Sequence, residues 1–512
     1  MNHLTPAQGL NRIVLINPPH TAIGSRIPDD HLPPLGLLCL GGPLLDAGFD
    51  VHLVDADLSD MPLFELVETV LTLEPQMVML GHSGSSTAHP TIIAIAEMIK
   101  QHAPRIIIIY GGVYPTYHWD EILQSNAFID FIVRGEGERT VSMLACALAT
   151  GTPLAWINGI AWRKDGLPYA TADAELIRNL DDYRIAWELI NHADYSYWGN
   201  RRAVVVQFSR GCPHLCSYCG QRGFWTRWRH RDPVKFAKEL AHLHREHGVE
   251  VFNFADELPT GSKKAWKAFL EALIAENVKV LLVGSTRASD IVRDANILHL
   301  YRQAGVIRFL LGIESYDEAT LHKIKKGGQI SDDHAAIRLL RQHGIVSMAT
   351  YVVGFEEETD ADYWRSLRHL MRYDPDQIQM LYATPHRWTP YYDSVSHRKV
   401  IQPDIRKWDY KHQVLETRRV PAWRVFIWVK SIEVIMQLRP KAIMRIMIAQ
   451  DAEFRHAMRW YTRIGRRVWL HEVYEFLQTR LPDTLHTLEA FLGKSLQHRE
   501  YALSKKIRIN HH

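Results

Sequence analysis

The hydrophobic pattern of the first 150 residues alternates between short apolar runs and longer segments with helical periodicity. The runs are rich in Val, Ile and Leu, and each is followed by a loop of Gly, Pro, Ser or His residues. Continuous apolar runs separated by helical segments are typical of βαβ units, whose parallel strands are buried on both faces. We predict strands at residues 12–17, 51–55, 77–82, 106–110 and 129–134.

A second pattern of strands and amphipathic helices begins at Ala203. Six predicted strands alternate with helical segments, and this is fewer than the eight strands that close a full barrel. The sequence therefore predicts a partial (βα)6 TIM-type barrel. Its strands are expected at residues 203–209, 251–256, 278–284, 307–315, 345–354 and 378–385.

These patterns divide the chain into four predicted parts. Residues 1–150 form a Rossmann-like domain with its ligand at the carboxyl ends of the strands, and residues 151–200 form a connector that contains a hairpin. Residues 201–385 form the partial barrel, and residues 386–512 form a helical, basic and aromatic C-terminal domain. Residues 401–512 carry 21 Lys and Arg against 11 Asp and Glu. This tail is either a surface for anionic or amphipathic partners or a solvated basic face.

Composition excludes several classes of protein. The 512 residues are 46% hydrophobic and 23% charged, which is ordinary for globular domains and excludes intrinsic disorder. Five cysteines, three of them within eight residues, form no disulfide framework and indicate a reducing compartment. The first residues do not resemble a signal peptide, and no apolar stretch is long enough to span a membrane. We expect a cytoplasmic protein.

The loop after the first barrel strand carries the strongest chemical motif. Cys212, Cys216 and Cys219 follow the spacing C-x3-C-x2-C, so their thiolates can converge on one metal centre. Three ligands are one fewer than a closed zinc or iron–sulfur site takes, which leaves a coordination position open. A structural zinc site would need a fourth ligand, and His214 is the local candidate. The spacing favours an iron–sulfur cluster with an open iron.

The motif Cys-x3-Cys-x-Tyr-Cys, placed after the first strand of a six-unit barrel, resembles that of the radical S-adenosylmethionine (SAM) superfamily. The resemblance implies a catalytic [4Fe–4S] cluster held by the three cysteines, and SAM cleavage to a 5′-deoxyadenosyl radical that abstracts hydrogen. Residues 354–359 lack the proline and the second glycine that relatives usually have in this turn. The residues implied to bind SAM are Tyr218, Asp256, Glu257, Ser285, Arg287, Glu314 and Ser315.

Motifs in the first domain resemble the cobalamin-binding domain of the cobalamin-dependent radical SAM class. They include the segment 32–37, Gly111-Gly112-Val113 and the segment 133–138. The D-x-H-x-x-G arrangement of histidine-ligated domains is absent, so the cobalt is not expected to take a protein histidine. The residues implied to bind cobalamin are Pro18, His20, Leu35, Gly36, His82, Ser83, Gly84, Ser85, Gly111, Gly112, Val113, Gly135 and Glu136.

Within this class, residues 15–28, the loop 81–84 and the segment 384–390 are similar to those of oxygen-independent cyclases acting on magnesium-protoporphyrin IX monomethyl ester. This resemblance implies closure of the isocyclic ring of (bacterio)chlorophyll, giving protochlorophyllide with oxygen taken from water. His386, Arg387 and Trp388 would stack on the flat tetrapyrrole and pair with its propionate, or they form a structural turn. An electron donor such as ferredoxin or flavodoxin would reduce the cluster. The basic tail can make peripheral membrane contact.

Two other functions stay open from the sequence. A cobalamin-dependent radical SAM methyltransferase would share every motif through the barrel, but would transfer a methyl group. A zinc- or cobalamin-binding regulatory protein would use the basic tail to hold nucleic acid. The arginines of the tail are dispersed among apolar residues and accompany no DNA-binding motif, so we expect no nucleic-acid partner.

Overall fold

The structure, a computed structural model, describes residues 10–20, 30–59, 61–81, 86–221, 223–225, 227–449, 451–479, 482 and 485–497. The described residues divide into two compact units. The first contains residues 10–20 and 33–194, and the second contains residues 30–32 and 195–497. The boundaries predicted at residues 150, 200 and 385 stay predictions of the sequence.

The first unit is built on a mixed sheet. Its strands are β1 Arg12–Asn17, β2 Asp50–Asp55, β3 Met77–Leu80, β4 Ile107–Gly111, β5 Phe131–Val133, β6 Ile160–Lys164 and β7 Leu167–Ala170. They lie in the order β2-β1-β3-β4-β5-β6-β7, with β1 to β5 parallel and β6 and β7 antiparallel. The five predicted strands are confirmed, with ends shifted by one or two residues. The strand order reverses between β1 and β3, because β2 lies on one side of β1 and the later strands lie on the other. Ligands bind at such a reversal in open α/β sheets.

Helices cover both faces of this sheet. They are α1 Leu35–Asp46, α2 Leu63–Thr72, α3 His89–His102, α4 Val113–Ser125 and α5 Glu138–Thr150. Alternate residues of β1 point to opposite faces, so Ile13 packs with α1 and α5 while Val14 packs with α2 and α3. Both faces of the parallel strands are therefore buried, which explains their continuous apolar runs.

The predicted connector extends the first unit. Its predicted hairpin is present as β6 and β7, which pair antiparallel beside β5. Residues 180–190 then pack on α1, where a Cβ on Gly42 would lie 2.0 Å from the carbonyl oxygen of Arg184. The glycine pair in α1 therefore permits close backbone approach by the connector.

The second unit is a half-barrel of mainly parallel strands. Its strands are β8 Ser196–Tyr197, β9 Arg201–Val206, β10 Ser209–Arg210, β11 Arg229–His230, β12 Val251–Phe254, β13 Leu281–Thr286, β14 Val306–Glu314, β15 Val346–Val353 and β16 Gln377–Tyr382. The main sheet has the order β16-β15-β14-β13-β12-β9-β8. Strands β9 and β12 to β16 are parallel, β8 is antiparallel to β9, and β10 pairs with β11. The predicted six-strand partial barrel is confirmed.

Helices follow the barrel strands and continue beyond them. They are α6 Pro233–His247, α7 Lys263–Ala275, α8 Ala288–Arg293, α9 Leu298–Gln303, α10 Glu318–Lys323, α11 Ile330–Gln342, α12 Asp360–Tyr373, α13 Pro390–Val395, α14 Ala422–Leu438, α15 Pro440–Ile448, α16 Ala452–Gln478 and α17 Leu488–Leu492. Pro440 cannot donate the backbone hydrogen bond that would continue α14, so a new helix begins there. The stretch between α13 and α14 has only one short 3-10 helix, at Ile405–Lys407, among its residues.

Helix α16 closes the amino end of the barrel. Phe454, Ala457 and Trp460 pack against residues near the starts of the parallel strands, including Ala203 and Val346. The cysteine loop lies at the opposite, carboxyl end, where barrel enzymes place their chemistry.

Candidate cofactor and active site

A buried carboxyl group holds the start of the cysteine loop. Asp256, at the end of β12, accepts hydrogen bonds from Phe208 N at 3.1 Å and from Ser209 N and Oγ at 2.5 and 2.6 Å. Burial raises the pKa of Asp256 to about 7, and the hydrogen bonds from Ser209 oppose part of that rise. Asp256 therefore positions the loop, while its predicted contact with SAM stays a prediction.

Gly211 turns the chain into the cysteine motif. Its φ is +94°, a conformation that glycine adopts without steric cost. A Cβ at this position would lie 2.2 Å from the carbonyl oxygen of Arg227. Both the backbone conformation and the neighbouring chain therefore require glycine here.

The three thiols share one environment. Cys216 is buried and its thiol lies 3.9 Å from the carbonyl oxygen of Lys326, while Cys212 and Cys219 are partly exposed. Burial raises the pKa of Cys219 to about 12 and also raises that of Cys212, and the charges of neighbouring thiolates act in the same direction. Among the described residues, no three His, Cys, Asp or Glu side chains are already arranged around one metal position.

Glu257 places a carboxyl group beside these thiols. Burial raises its pKa to about 8, and a hydrogen bond from Gly211 N opposes the rise. Its Oε2 atom is buried and has no hydrogen-bond partner within the described part of the chain. A buried acceptor without a donor is costly unless a ligand supplies one. Glu257 is therefore suited to bind a donor group of a cofactor.

The end of β14 carries an ion pair that faces the cysteine loop. Glu314 has φ +68° at a register irregularity between β14 and β15, and its Oε1 lies 3.0 Å from Lys326 Nζ. A Cβ on Gly312 would approach both partners, at 2.6 and 2.5 Å, so glycine leaves room for the pair. Burial alone would lower the pKa of Lys326, but the charges of Glu314 and Cys216 raise it. A strained non-glycine residue at a strand end is typical of functional sites.

Tyr218 lies beside Glu314 of this pair, Ser315 follows Glu314 directly, and Ser285 belongs to the neighbouring strand β13. Burial raises the pKa of Tyr218, and the neighbouring charge of Glu314 raises it further. Ser315 is buried and its Oγ accepts a hydrogen bond from Asp317 N at 3.1 Å. Ser285 lies in β13, one residue before its end. The structure thus brings Tyr218 and Glu314 together.

The segment 324–328 is part of the site, although it was not among the site residues predicted from the sequence. Ser217 N donates to the carbonyl oxygen of Ile324 at 2.9 Å, so this segment contacts the cysteine loop directly. Arg287 donates to the carbonyl oxygens of Lys326, at 2.6 Å, and Gly327. The two glycines that follow Lys326, both with positive φ, were the feature of the sequence that could have indicated a special turn here.

The predicted substrate residues contact protein groups instead of open space. Trp388 Nε1 donates to the carbonyl oxygen of Gly220 at 2.8 Å, and its ring stacks on His386 with centroids 4.9 Å apart. His386 Nε2 and the hydroxyl group of Tyr410 form a hydrogen bond of 2.7 Å, and burial lowers the pKa of His386 to about 4. Arg387 donates to the carbonyl oxygen of Lys494. The described contacts match the alternative of a structural turn, and the substrate roles stay predictions.

We expect Trp388→Phe to loosen the end of the cysteine loop. The change keeps an aromatic ring but leaves the carbonyl group of Gly220 without its donor, which costs about 1–3 kcal/mol in a buried setting. Amide hydrogen exchange of residues 212–221 should become faster. Trp266→Phe is the matched control, because Trp266 is buried in the barrel and its Nε1 has no described hydrogen-bond partner. Equal exchange of the loop in both variants would contradict the role of this hydrogen bond.

A cleft beside the site contains a second buried carboxyl group. It is lined by Arg287, Lys326 and Gly328, by Asp333 of α11 and by the first residues of α8. Burial raises the pKa of Asp333 to about 7, and the charge of Lys326 opposes the rise. Asp333 therefore favours the folded state most below pH 4, and this contribution is lost as the pH rises through about 7.

We expect Asp333→Asn to become more stable relative to the wild type as the pH rises from about 4 to about 7, by up to roughly 1.4 kcal/mol per pH unit. Urea unfolding at pH values across this range measures the difference. Asp404→Asn is the control, because the Arg406 guanidinium lowers the pKa of Asp404, so its difference from the wild type stays constant above pH 5. A constant difference for Asp333→Asn as well would contradict the prediction.

The predicted cobalamin residues that the structure describes lie along the carboxyl edge of the sheet of the first unit. Pro18 and His20 follow β1, and His20 Nδ1 lies 2.9 Å from the carbonyl oxygen of Pro18. Leu35 and Gly36 begin α1, and a Cβ on Gly36 would meet no atom of the described residues within 4 Å. A glycine at this edge suits the close approach of a large ligand. The predicted residues His82, Ser83, Gly84 and Ser85 lie outside the described residues.

Two further loops complete this edge. Gly111, Gly112 and Val113 connect β4 to α4, and Gly112 has φ +116°. After β5, Gly135 N donates to Thr116 Oγ1 at 2.9 Å. Glu136 Oε2 accepts a hydrogen bond from Ile177 N at 2.7 Å, so this carboxylate also holds the connector. The roles of these residues toward cobalamin stay predictions.

Comparison with known families agrees with this architecture. The B12 binding domain family matches residues 23–145, and the Radical SAM superfamily matches residues 206–370. The radical SAM methyltransferase TsrM from Kitasatospora setae, solved with tryptophan substrate and a SAM analogue, has a TM-score of 0.68. It is 16% identical, and the alignment covers 91% of this chain and 98% of that structure, so it shows a shared fold.

Two relatives identify the family. The anaerobic magnesium-protoporphyrin IX monomethyl ester cyclase of Synechocystis sp. is 54% identical over 96% of this chain and 99% of its own length. The protein of the same name from Rubrivivax gelatinosus is 32% identical over 79% of this chain and 73% of its own length. Neither is named a methyltransferase, so the methyltransferase interpretation is not favoured. The chain, which carries a B12-binding domain followed by a radical SAM domain, belongs to the family of anaerobic magnesium-protoporphyrin IX monomethyl ester cyclases.

Proposed function

We propose that this enzyme converts magnesium-protoporphyrin IX 13-monomethyl ester to protochlorophyllide in (bacterio)chlorophyll biosynthesis, without molecular oxygen. The 54% identity to the Synechocystis cyclase over nearly the whole of both chains carries the proposal. The reaction oxidises the saturated side-chain carbon that joins the macrocycle to the carbon beside the ester, takes oxygen from water and closes the isocyclic ring. No carbonyl group is attached to this carbon to make its hydrogen acidic, so hydrogen abstraction by a radical suits the reaction.

The residues present fit the cofactors that this reaction needs. Cys212, Cys216 and Cys219 are three thiol ligands on one loop, and they would hold a [4Fe–4S] cluster with one iron open. When bound there, the cluster and SAM supply the 5′-deoxyadenosyl radical. The glycine-bearing loops after β1, β4 and β5 would hold cobalamin at the carboxyl edge of the first sheet.

Residues around the cysteine loop supply orientation and charge. The unpartnered Oε2 of Glu257 is suited to accept hydrogen bonds from the amino group of SAM. The ion pair of Glu314 with Lys326 gives one acceptor and one cation at the same strand end, and Tyr218 adds a hydroxyl group beside Glu314. Arg287 holds the segment 326–327 against this site. These groups are fixed by neighbours, as preorganised sites require.

The buried ring of Trp388 and the buried imidazole of His386 restrict water at the end of the loop. Both lie beside Gly220, the residue after Cys219, and fewer than one-tenth of either side chain is exposed. Burial keeps His386 neutral at physiological pH, since its pKa is about 4. A dry environment protects a reactive radical from side reactions.

The substrate and partners follow from the same chemistry. The proposed substrate is a flat, apolar tetrapyrrole with a propionate group. The cluster must be reduced by a one-electron donor such as ferredoxin or flavodoxin. We place the enzyme in the cytoplasm, with peripheral contact to a membrane, because its thiols suit a reducing compartment and its tail is basic and apolar.

An anaerobic reaction of the reconstituted full chain tests the proposal. The mixture contains SAM, reductant, cobalamin and magnesium-protoporphyrin IX monomethyl ester, and the pigment is followed by absorbance and mass spectrometry. We expect protochlorophyllide together with 5′-deoxyadenosine and methionine. Cleavage of SAM with an unchanged pigment would overturn the substrate assignment. A pigment heavier by one methyl group, with S-adenosylhomocysteine, would identify a methyltransferase.

A further inference from the structure

We propose that the outer sides of α14, α15 and α16 form a surface that binds an anionic lipid bilayer. These three sides are called the tail face below. The proposal rests on the peripheral membrane contact included in the proposed function, and it assigns that contact to named residues and to a lipid charge. No described helix is long and apolar enough to cross a bilayer, so the contact concerns the interface of the membrane only.

Helix α15 presents apolar side chains to solvent. Ile443, Met444, Met447 and Ile448 are exposed, and more than 60% of Met447 and of Ile448 is accessible. Their spacing of one, four and five residues places them on one side of the helix. Ala442 is the residue of α15 that is buried. Such a side is unusual for a helix that faces only water, because large exposed apolar patches mark sites of interaction.

Ion pairs on the opposite side hold α15 firmly in this orientation. Arg445 pairs with Asp374 and with Asp376, which lie directly before β16. Arg439, buried at the junction of α14 and α15, also pairs with Asp374, at 2.8 Å. Buried pairs of this kind are costly to break. The exposure of the apolar side is therefore a fixed property of the fold.

Helices α14 and α16 continue the apolar surface. They run antiparallel, because Phe426 stacks on Phe476 with centroids 4.0 Å apart while Gly465 lies against Gln437. Trp423 and Ile427 on α14 are exposed near the end that carries exposed Tyr474 and Leu477 on α16. A tryptophan and a tyrosine beside aliphatic residues are the side chains that membrane interfaces favour.

The charges of the tail face select an anionic occupant. Lys441, Arg459, Arg463 and Arg466 are exposed, and the three arginines share the side of α16 that continues to Leu470 and Tyr474. The acidic residues of these helices are not exposed and are each paired with a cation. Examples are Glu472 with Lys430, and Glu453 with Arg201. Apolar side chains among exposed cations, without exposed acids, match the headgroup and acyl boundary of an anionic bilayer.

The test is flotation of the reconstituted full chain with vesicles, in the absence of tetrapyrrole. We expect binding to vesicles of phosphatidylcholine with phosphatidylglycerol, weaker binding to pure phosphatidylcholine, and weakening by salt. Arg459→Gln with Arg463→Gln should reduce binding roughly fivefold per arginine. Met447→Ser with Ile448→Ser should reduce it more than about tenfold.

Matched variants distinguish binding by the tail face from nonspecific binding by other exposed apolar residues. Phe64→Ser and Trp156→Ser alter exposed apolar residues of the first unit and should leave binding unchanged. Brominated lipid should quench part of the tryptophan fluorescence, and Trp423→Phe should remove that part. The quenching gives a local readout that does not depend on the reaction.

Three outcomes would overturn the proposal. They are absence of binding to the anionic vesicles at low salt, equal binding by the tail-face and first-unit variants, and self-association in solution that Met447→Ser with Ile448→Ser abolishes. The last outcome would identify a second copy of the chain as the occupant. Because no tetrapyrrole is present, failure here leaves the cyclase assignment intact. Failure of the cyclase reaction with normal vesicle binding would overturn the proposed reaction and leave the proposed membrane surface intact.

Discussion

Replacement of Cys216 by alanine is expected to abolish cluster binding and every turnover that depends on it. Cys216 is a buried residue, and its thiol lies against the segment that contains Lys326. A cluster that already has an open iron cannot lose another thiolate ligand and stay bound. Loss of a group that only supports a ligand costs 10–100-fold, so we expect a loss of more than about a hundredfold here.

The measurements are iron and sulfide content after anaerobic reconstitution, the electron paramagnetic resonance spectrum of the reduced protein, and formation of 5′-deoxyadenosine. Cys39→Ala and Cys146→Ala are the matched controls, because these thiols lie in helices of the first unit. Both controls should bind a full cluster. A full cluster spectrum and normal SAM cleavage in Cys216→Ala would show that this thiol is not a ligand.

Gly211→Ala is expected to disorder the cysteine loop although it adds a single methyl group. Holding alanine at φ +94° costs about 1–3 kcal/mol, and the added Cβ would lie 2.2 Å from the carbonyl oxygen of Arg227. Backbone atoms cannot move aside as a flexible side chain can, so the loop must shift. We expect lower iron content, lower thermal stability of the second unit and little remaining activity.

Gly151→Ala is the control that distinguishes the steric clash with Arg227 from the backbone strain of a positive φ. Gly151 also has a positive φ, +70°, but a Cβ there would meet no atom within 4 Å in the described part of the chain. This control should lose about 1 kcal/mol of unfolding free energy and should bind a full cluster. If Gly211→Ala loses no more stability than Gly151→Ala and keeps its iron, the contact with Arg227 does not shape the loop.

Local periodicity explains why the elements of both sheets could be predicted. Strands buried on two faces leave continuous apolar runs, and the helices between them leave a 3.6-residue pattern. The predicted hairpin at β6 and β7 followed from a turn rich in Asp and Gly. The C-terminal domain was predicted only as helical, without bounds for its helices, so the break between α14 and α15 at Pro440 was not part of the prediction.

Prediction of the site was uneven for a physical reason. The cysteine loop is a local motif, so the spacing of its thiols was visible in the sequence. Lys326 lies about one hundred residues further along the chain, and the two glycines that follow it do not show that it meets Glu314 or the loop. Arg387 is a different case. Its guanidinium group is suited to a propionate, so the sequence predicted a substrate role, but in the structure it donates to the carbonyl oxygen of Lys494.

The sequence by itself determined the order of the elements, the cysteine motif and the family to which the chain belongs, because these depend on residue types at short spacing. The tertiary structure decided which distant groups meet. It placed the carboxyl group of Asp256 under Ser209, the indole of Trp388 against Gly220, and α16 across the amino end of the barrel. Such contacts join residues far apart in the chain, and only the closed packing of the fold selects them.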